Sequence, residues 1–90
     1  MPNKNLVVLA RRDHAEAMRV AAGLTIAGHG VRLIFMTGPV EETAENIDQA
    51  ETLELCDIEP ETTVPGEELP FLDSAALSLA LLQADSVINL

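Results

Sequence analysis

Two continuous aliphatic runs, separated by one segment with the signals of a capped helix, constrain the fold of this chain most strongly. The runs are "NLVVLA" at 5–10 and "VRLIFMT" at 31–37. An uninterrupted run rich in Val, Leu and Ile is typical of a strand buried on both faces, as strands of parallel sheets are. We therefore predict two adjacent, parallel strands joined by a helix.

The segment between the two runs carries both the start and the stop signals of a helix. Asp13 suits the N-cap position, and Glu16, three residues later, is placed to complete a capping box. Residues 15–27 are rich in Ala, Leu and Met, which favour helix. "GHG" at 28–30 is predicted to end the helix, because glycine readily adopts the left-handed conformation of a helix C-terminus.

The second half of the chain continues the alternation of helix and strand. "GPVEE" at 38–42 predicts the start of a second helix, since Pro39 suits the first helical position. This helix has acidic faces and one apolar stripe, formed by Val40, Ala44, Ile47, Ala50 and Leu53. We further predict a short third strand at 61–64, a third helix at 71–84 and a final strand at 86–90.

The order β-α-β-α-β-α-β predicts a single α/β domain over residues 1–90, with a small parallel sheet of about four strands. Helices are expected on both faces of this sheet. Three helices cannot cover both faces completely, so apolar surface should remain for another subunit. The third helix carries the predicted interface, because it is apolar on more than one side. Its four leucines are Leu77, Leu79, Leu81 and Leu82.

The net charge of −10 is distributed unevenly along the chain. Residues 1–38 contain all five basic and two acidic side chains, whereas residues 39–90 contain thirteen acidic side chains and no basic ones. Such a surface repels phosphate groups, so we predict neither nucleic acid nor a membrane as a partner. We interpret the acidic half as a solvated helix face. A docking surface for a basic partner is the alternative.

Basic side chains gather where the first strand is predicted to end. Arg11, Arg12 and His14 lie at the carboxyl end of that strand, where open parallel sheets bind ligands. A helix N-terminus and guanidinium groups together favour an anion, and Thr37 and Gly38, after the second strand, are the expected neighbours. Alternatively, the arginines pair with surrounding carboxylates, because the glycine-rich loop of nucleotide-binding proteins is missing.

Few residues remain that usually carry metal or nucleophilic chemistry. His14, His29 and Cys56 lack the spacing of a ligand set, so we predict no metal and no other cofactor. A reactive thiol normally has cations or a helix N-terminus beside it. Cys56 instead lies between Glu54 and Asp57, and we interpret it as a core or interface residue. A persulfide carrier through Cys56 is the alternative. A lone cysteine forms no internal disulfide, which favours a cytoplasmic protein.

The stretches "LELCDIEPETTV" at 53–64 and "LLQADSVINL" at 81–90 resemble the DsrE/DsrF-like family of small sulfur-relay proteins, especially its TusC/DsrF branch. In that family a helix ends near an Asp-Ile-Glu-like segment and a strand follows. The chain then closes with a helix that leads into a final strand with the pattern aD-x-V-I-x-[FL]. "DIE" at 57–59 and "ADSVINL" at 84–90 match those places.

The resemblance implies a DsrE/DsrF-like domain, a cytoplasmic location, and assembly into homo-oligomers or into hetero-oligomers with related small α/β subunits. In the sulfur-carrying members, the segment after the third strand holds the cysteine that accepts persulfide. Residues 60–70 of this chain contain no cysteine. We therefore predict a non-catalytic subunit of a sulfur-relay-type assembly, with a small-anion or nucleotide-binding module as the alternative.

Overall fold

A computed structural model of the chain describes residues 4–38, 41–66 and 69–90. Within these residues, strands and helices alternate along the whole chain. They are β1 (Asn5–Ala10), α1 (His14–Ile26), β2 (Gly30–Phe35), α2 (Ala44–Leu55), β3 (Glu61–Thr62), α3 (Ser74–Gln83) and β4 (Ser86–Asn89). The strands form one parallel sheet in the order β3-β2-β1-β4. The predicted α/β fold with a four-stranded parallel sheet is confirmed.

The two aliphatic runs form the centre of the sheet. β1 and β2 pair in parallel along their full length, from Asn5 opposite Gly30 to Ala10 opposite Phe35. Consecutive residues of each strand point to opposite faces, so a run that is apolar throughout can fill a core on both sides. The predicted adjacency of these two strands is confirmed.

Each face of the sheet has its own core. On the first face, β1 and β2 pack against α1, and α2 packs against α1. The buried residues of this cluster are Val8, Ala10, Ala17, Met18, Ala21, Ala22, Leu33, Phe35 and Leu53. On the second face, Val7, Leu9 and Ile34 lie under Leu77 and Leu81 of α3. The predicted placement of helices on both faces therefore holds.

The predicted N-cap of α1 is confirmed, but the capping box is not formed. The Asp13 carboxylate accepts a hydrogen bond from the Glu16 N–H at 3.0 Å. The Glu16 carboxylate does not reach back, because it pairs with the guanidinium of Arg19, whose Nε donates at 3.0 Å. The Asp13 N–H donates instead to the carbonyl of Leu90. At the other end, Gly28 has a φ of 98° and ends the helix as predicted.

The predicted start of the second helix at 38–42 is wrong. α2 begins only after Thr43, whose side-chain oxygen accepts from the Asn46 N–H at 3.1 Å and so caps the helix. The Thr43 hydroxyl supplies a hydrogen-bond acceptor for an N–H group of the first helical turn that has no partner within the helix. Gly38, at the predicted start, has no side chain that could do so. Pro39 and Val40 lie outside the described residues.

The predicted apolar stripe of α2 is mostly exposed. Leu53 is buried, whereas Ala44 and Ala50 are exposed and Ile47 is 50% exposed. The physical reason is that α1 already covers the sheet, and α2 packs against α1. Only the C-terminal part of α2 therefore reaches the core.

The last elements differ from the predicted ones at their ends. β3 contains only Glu61 and Thr62, and α3 begins after Asp73, whose carboxylate accepts from the Ala76 N–H at 2.8 Å. Phe71, predicted to be helical, instead forms a bridge to Thr62. The N–H and the carbonyl of Thr62 both form backbone hydrogen bonds to the segment around Phe71. This segment therefore extends the edge of the sheet, and the helix begins later than predicted. None of the described helices is long and apolar enough to cross a membrane.

Candidate functional site at the carboxyl edge of the sheet

A cleft of about 530 Å³ opens beyond the carboxyl ends of β1 and β2. One wall is the turn into α1, and the other is the connection from β2 to α2. Arg12, His14, Thr37 and Gly38 all line this cleft. Parallel strands end at the same edge, which explains why residues more than twenty positions apart meet here.

Arg11 is not part of this cleft. It lines a smaller hollow of about 210 Å³, together with Arg12, with Asn89 at the end of β4 and with Leu90, which follows it. Its backbone carbonyl accepts a hydrogen bond from the Thr37 hydroxyl at 2.9 Å. The five predicted anion-site residues therefore share one edge of the sheet but line two separate depressions, and Arg12 borders both.

Several donors at this edge already have partners within the chain. The N–H groups of Arg12 and Asp13 both donate to the Leu90 carbonyl, at 3.1 and 3.0 Å. Leu90 is held in place by its own N–H, which donates to the Leu9 carbonyl at 2.9 Å. The two N–H groups just before α1 are therefore occupied by Leu90, which follows β4, and this leaves fewer free N–H groups at the edge for a bound anion.

The charges around the cleft are mixed. Asp13, Glu41 and Glu45 line it together with the single guanidinium of Arg12. Among the described residues, neither Arg11 nor Arg12 forms an ion pair with a carboxylate. The described residues therefore do not show the alternative arrangement, in which surrounding carboxylates pair with both arginines.

His14 lines the cleft and is half-buried. Its ring meets the ring of Phe35 edge-on, with centroids 5.1 Å apart and an interplanar angle of 70°. Its Nε2 atom is buried and has no hydrogen-bond partner among the described residues. This aromatic contact could not be predicted from local sequence, because His14 begins α1 and Phe35 ends β2.

The remaining predicted residues lie away from this edge. Cys56 follows α2 at its C-cap position, is half-buried and packs against the first-face core. The four leucines of α3 divide into two pairs. Leu77 and Leu81 face the sheet, whereas Leu79 is 55% and Leu82 is 84% exposed.

No group of three or more His, Cys, Asp or Glu side chains within the described ranges is arranged to hold a metal ion. No protein-family model, curated protein or solved structure matches the chain. The resemblance to DsrE/DsrF-like proteins and the roles of the site residues accordingly stay predictions.

Proposed function

We propose that this chain is a non-catalytic DsrE/DsrF-like subunit, acting as a scaffold or partner in an oligomeric, cytoplasmic sulfur-relay-type assembly. The observation that supports this proposal is the outer face of α3. Leu79 and Leu82 point away from the sheet, and Ala75, also exposed, precedes them on the same stripe. Between Ser74 and Gln83 the helix contains no charged side chain.

An uncharged outer face is exceptional in this chain. On α2, the other helix with a broad exposed face, acidic side chains recur throughout the sequence. Like charges repel when two copies approach, so association through α2 is disfavoured and association through α3 is not. Val87, on the neighbouring edge strand β4, is 37% exposed and pairs in register with Val7 of the same face. The apolar surface of α3 therefore continues toward β4.

The energy available from this surface suits a reversible contact. Burying one exposed leucine side chain contributes about 1.5–3 kcal/mol. A two-fold interface repeats each contact, and Leu79 is 55% and Leu82 84% exposed. The four side chains of both copies together therefore contribute roughly 4–8 kcal/mol. Association itself costs about 4–15 kcal/mol. Two leucines per copy thus support a weak dimer, which becomes tighter when Val87 and Ala75 add to the contact.

The test is the molar mass in solution, measured by light scattering from micromolar to millimolar concentration. We expect the native chain to form dimers or larger oligomers, and the double variant Leu79→Lys/Leu82→Lys to be monomeric but folded. Leu55→Lys is the matched control, because Leu55 is 86% exposed on α2 and should not affect the mass. A monomeric native chain at every concentration, with equally folded variants, would contradict self-association.

The sulfur-relay part of the proposal needs a second measurement. The native chain and the Leu79→Lys/Leu82→Lys variant are used in parallel to capture proteins from the cytoplasm, followed by mass spectrometry. We expect related small α/β subunits or other sulfur-transfer proteins to be captured by the native chain and lost with the variant. Capture of only unrelated proteins would count against a sulfur-relay assembly.

Anion binding is the second candidate, favoured by the two guanidinium groups that form no ion pair among the described residues. At about ten times its Kd, inorganic phosphate should stabilise the fold by about 1.4 kcal/mol, or raise Tm by roughly 6–10 °C. We expect Arg11→Ala/Arg12→Ala to abolish this rise relative to chloride of equal ionic strength. Arg19→Ala, which removes a guanidinium paired with Glu16, should retain it. If the phosphate-induced rise in Tm survives the double substitution, phosphate binds at another site on the chain.

A further inference from the structure

A second cleft lies on the first face of the sheet, on the side of β3. Its volume is about 590 Å³, and it opens between α1, the C-terminal half of α2 and residues 57–60. Met18 and Phe35, both almost fully buried, contribute its deepest part. The volume falls within the range of about 300–1,000 Å³ of small-molecule sites, which are concave and mostly apolar.

The end of α2 explains why this cleft exists. Asp57 has a φ of 57°, and the chain turns there sharply out of the helix. The Ile58 N–H donates to the Leu53 carbonyl at 3.0 Å and the Asp57 N–H donates to the Glu54 carbonyl at 3.1 Å. These two bonds form a Schellman motif, which typically brings together the apolar residues at its ends, here Leu53 and Ile58. Both line the cleft, and Ala50, one turn earlier on α2, is too small to fill it.

Carboxylates surround the mouth of this apolar cleft. Glu54, Asp57 and Glu59 all line it, and all three are exposed. None of them forms an ion pair among the described residues, where the ion-paired arginines are Arg19 and Arg32. Those two guanidinium groups are already held by the carboxylates of other residues.

The chain has few cations with which to neutralise this rim. Residues 39–90 contain no lysine or arginine. Arg11 and Arg12 line the depressions at the carboxyl edge of the sheet, and neither they nor Lys4, which precedes β1, lines this cleft. Among the described residues, no lysine or arginine is therefore placed to neutralise this rim, and a cationic ligand would supply the complementary charge. An apolar anion would be repelled at the mouth, and a neutral apolar molecule would gain nothing from the carboxylates.

We propose that this cleft binds a small organic cation. Its apolar body, one or two rings in size, contacts Met18, Phe35 and Ile58, and its ammonium or amidinium group lies at the rim formed by Glu54, Asp57 and Glu59. Walls on three sides suit a compact ligand better than an extended protein segment. This site is independent of the outer face of α3, on which the proposed function rests.

The test compares three probes with the same ring system and different charge: 1-naphthylmethylammonium, 1-naphthylmethanol and 1-naphthoate. Each is titrated into the native chain at 100 mM salt, and binding is followed by backbone amide chemical shifts. We expect the cation to bind about fivefold more tightly than the alcohol, and the carboxylate to bind most weakly. The shifts should centre on Met18, Ala50 and Ile58. Equal affinity for the cation and the carboxylate, or shifts centred elsewhere, would overturn the proposal.

Variants then separate this site from the overall acidity of the chain. Glu54→Gln/Asp57→Asn/Glu59→Gln should weaken the cation about fivefold and leave the alcohol unchanged. The control Glu42→Gln/Asp48→Asn/Glu51→Gln removes the same charge from residues that do not line the cleft, and should leave both affinities unchanged. Ala50→Phe should fill the cleft and prevent all three probes from binding. Because Ala50 is exposed, this variant should fold, and it tests the site if the rim variant does not fold. Equal weakening by the rim and control variants, or unchanged binding to Ala50→Phe, would refute the site.

Discussion

Replacing Leu33 with alanine is expected to lower the free energy of unfolding by about 3–5 kcal/mol. Leu33 lies in the middle of β2, opposite Val8 of β1, and its side chain is 0% exposed. Both strands are fixed by their neighbours in the sheet, so the surroundings cannot collapse into the cavity that the substitution leaves. A small domain has only about 5–15 kcal/mol of stability in total. Urea denaturation at one fixed protein concentration measures the loss.

The matched control for this prediction is Leu33→Met. Methionine conserves most of the volume of leucine, so this variant should lose less than about 1.5 kcal/mol. The difference between the two variants isolates the effect of the cavity from any effect of changing the residue. If Leu33→Ala lost less than about 1 kcal/mol, β2 would not be the central strand of a packed core.

The central strands could be predicted from the sequence because their signal is local. A strand segment buried on both faces must be apolar at every position, and residues 6–10 of β1 and 33–35 of β2 meet that condition whatever packs on them. The limits of α1 are local in the same way. Asp13 supplies the cap, and Gly28 takes the positive φ that ends the helix.

The placement of α2 could not be predicted, because it depends on where α1 lies. A stripe of apolar residues indicates a helix with one face covered, but it does not say how much of that face is covered. The exposed Ile47 and the buried Leu53 belong to the same stripe. The start of α2 differs from the predicted one for a local reason, since Pro39 suits a first turn but Thr43 supplies the actual cap.

The residues at the carboxyl edge were only partly predictable. The rule that parallel strands end together is enough to bring Arg12 and His14 near Thr37. It does not reveal that the Leu90 carbonyl, from the far end of the chain, accepts the Arg12 N–H and the Asp13 N–H. The apolar cleft was not predicted at all, because its walls come from segments that are distant in sequence.

Replacing Leu53 with alanine is expected to lower the free energy of unfolding by about 2–4 kcal/mol and to loosen α2 selectively. Leu53 is the buried residue of α2, 2% exposed and packed in the core that includes α1. The loss should be smaller than for Leu33→Ala, since Leu53 also borders the open apolar cleft and its neighbours can relax into the space. Amide hydrogen exchange should show lost protection in α2, with β1 and β2 affected only through the lower global stability.

The matched control is Leu55→Ala, on the same helix and two residues away. Leu55 is 86% exposed, so removing its side chain should change the free energy of unfolding by no more than about 0.5 kcal/mol. Both substitutions put alanine at a helical leucine and change helix propensity equally, so their difference reports burial alone. Equal effects of the two variants would mean that α2 is not anchored through Leu53. If Leu53→Ala lost stability without a selective loss of protection in α2, the helix would unfold only together with the sheet.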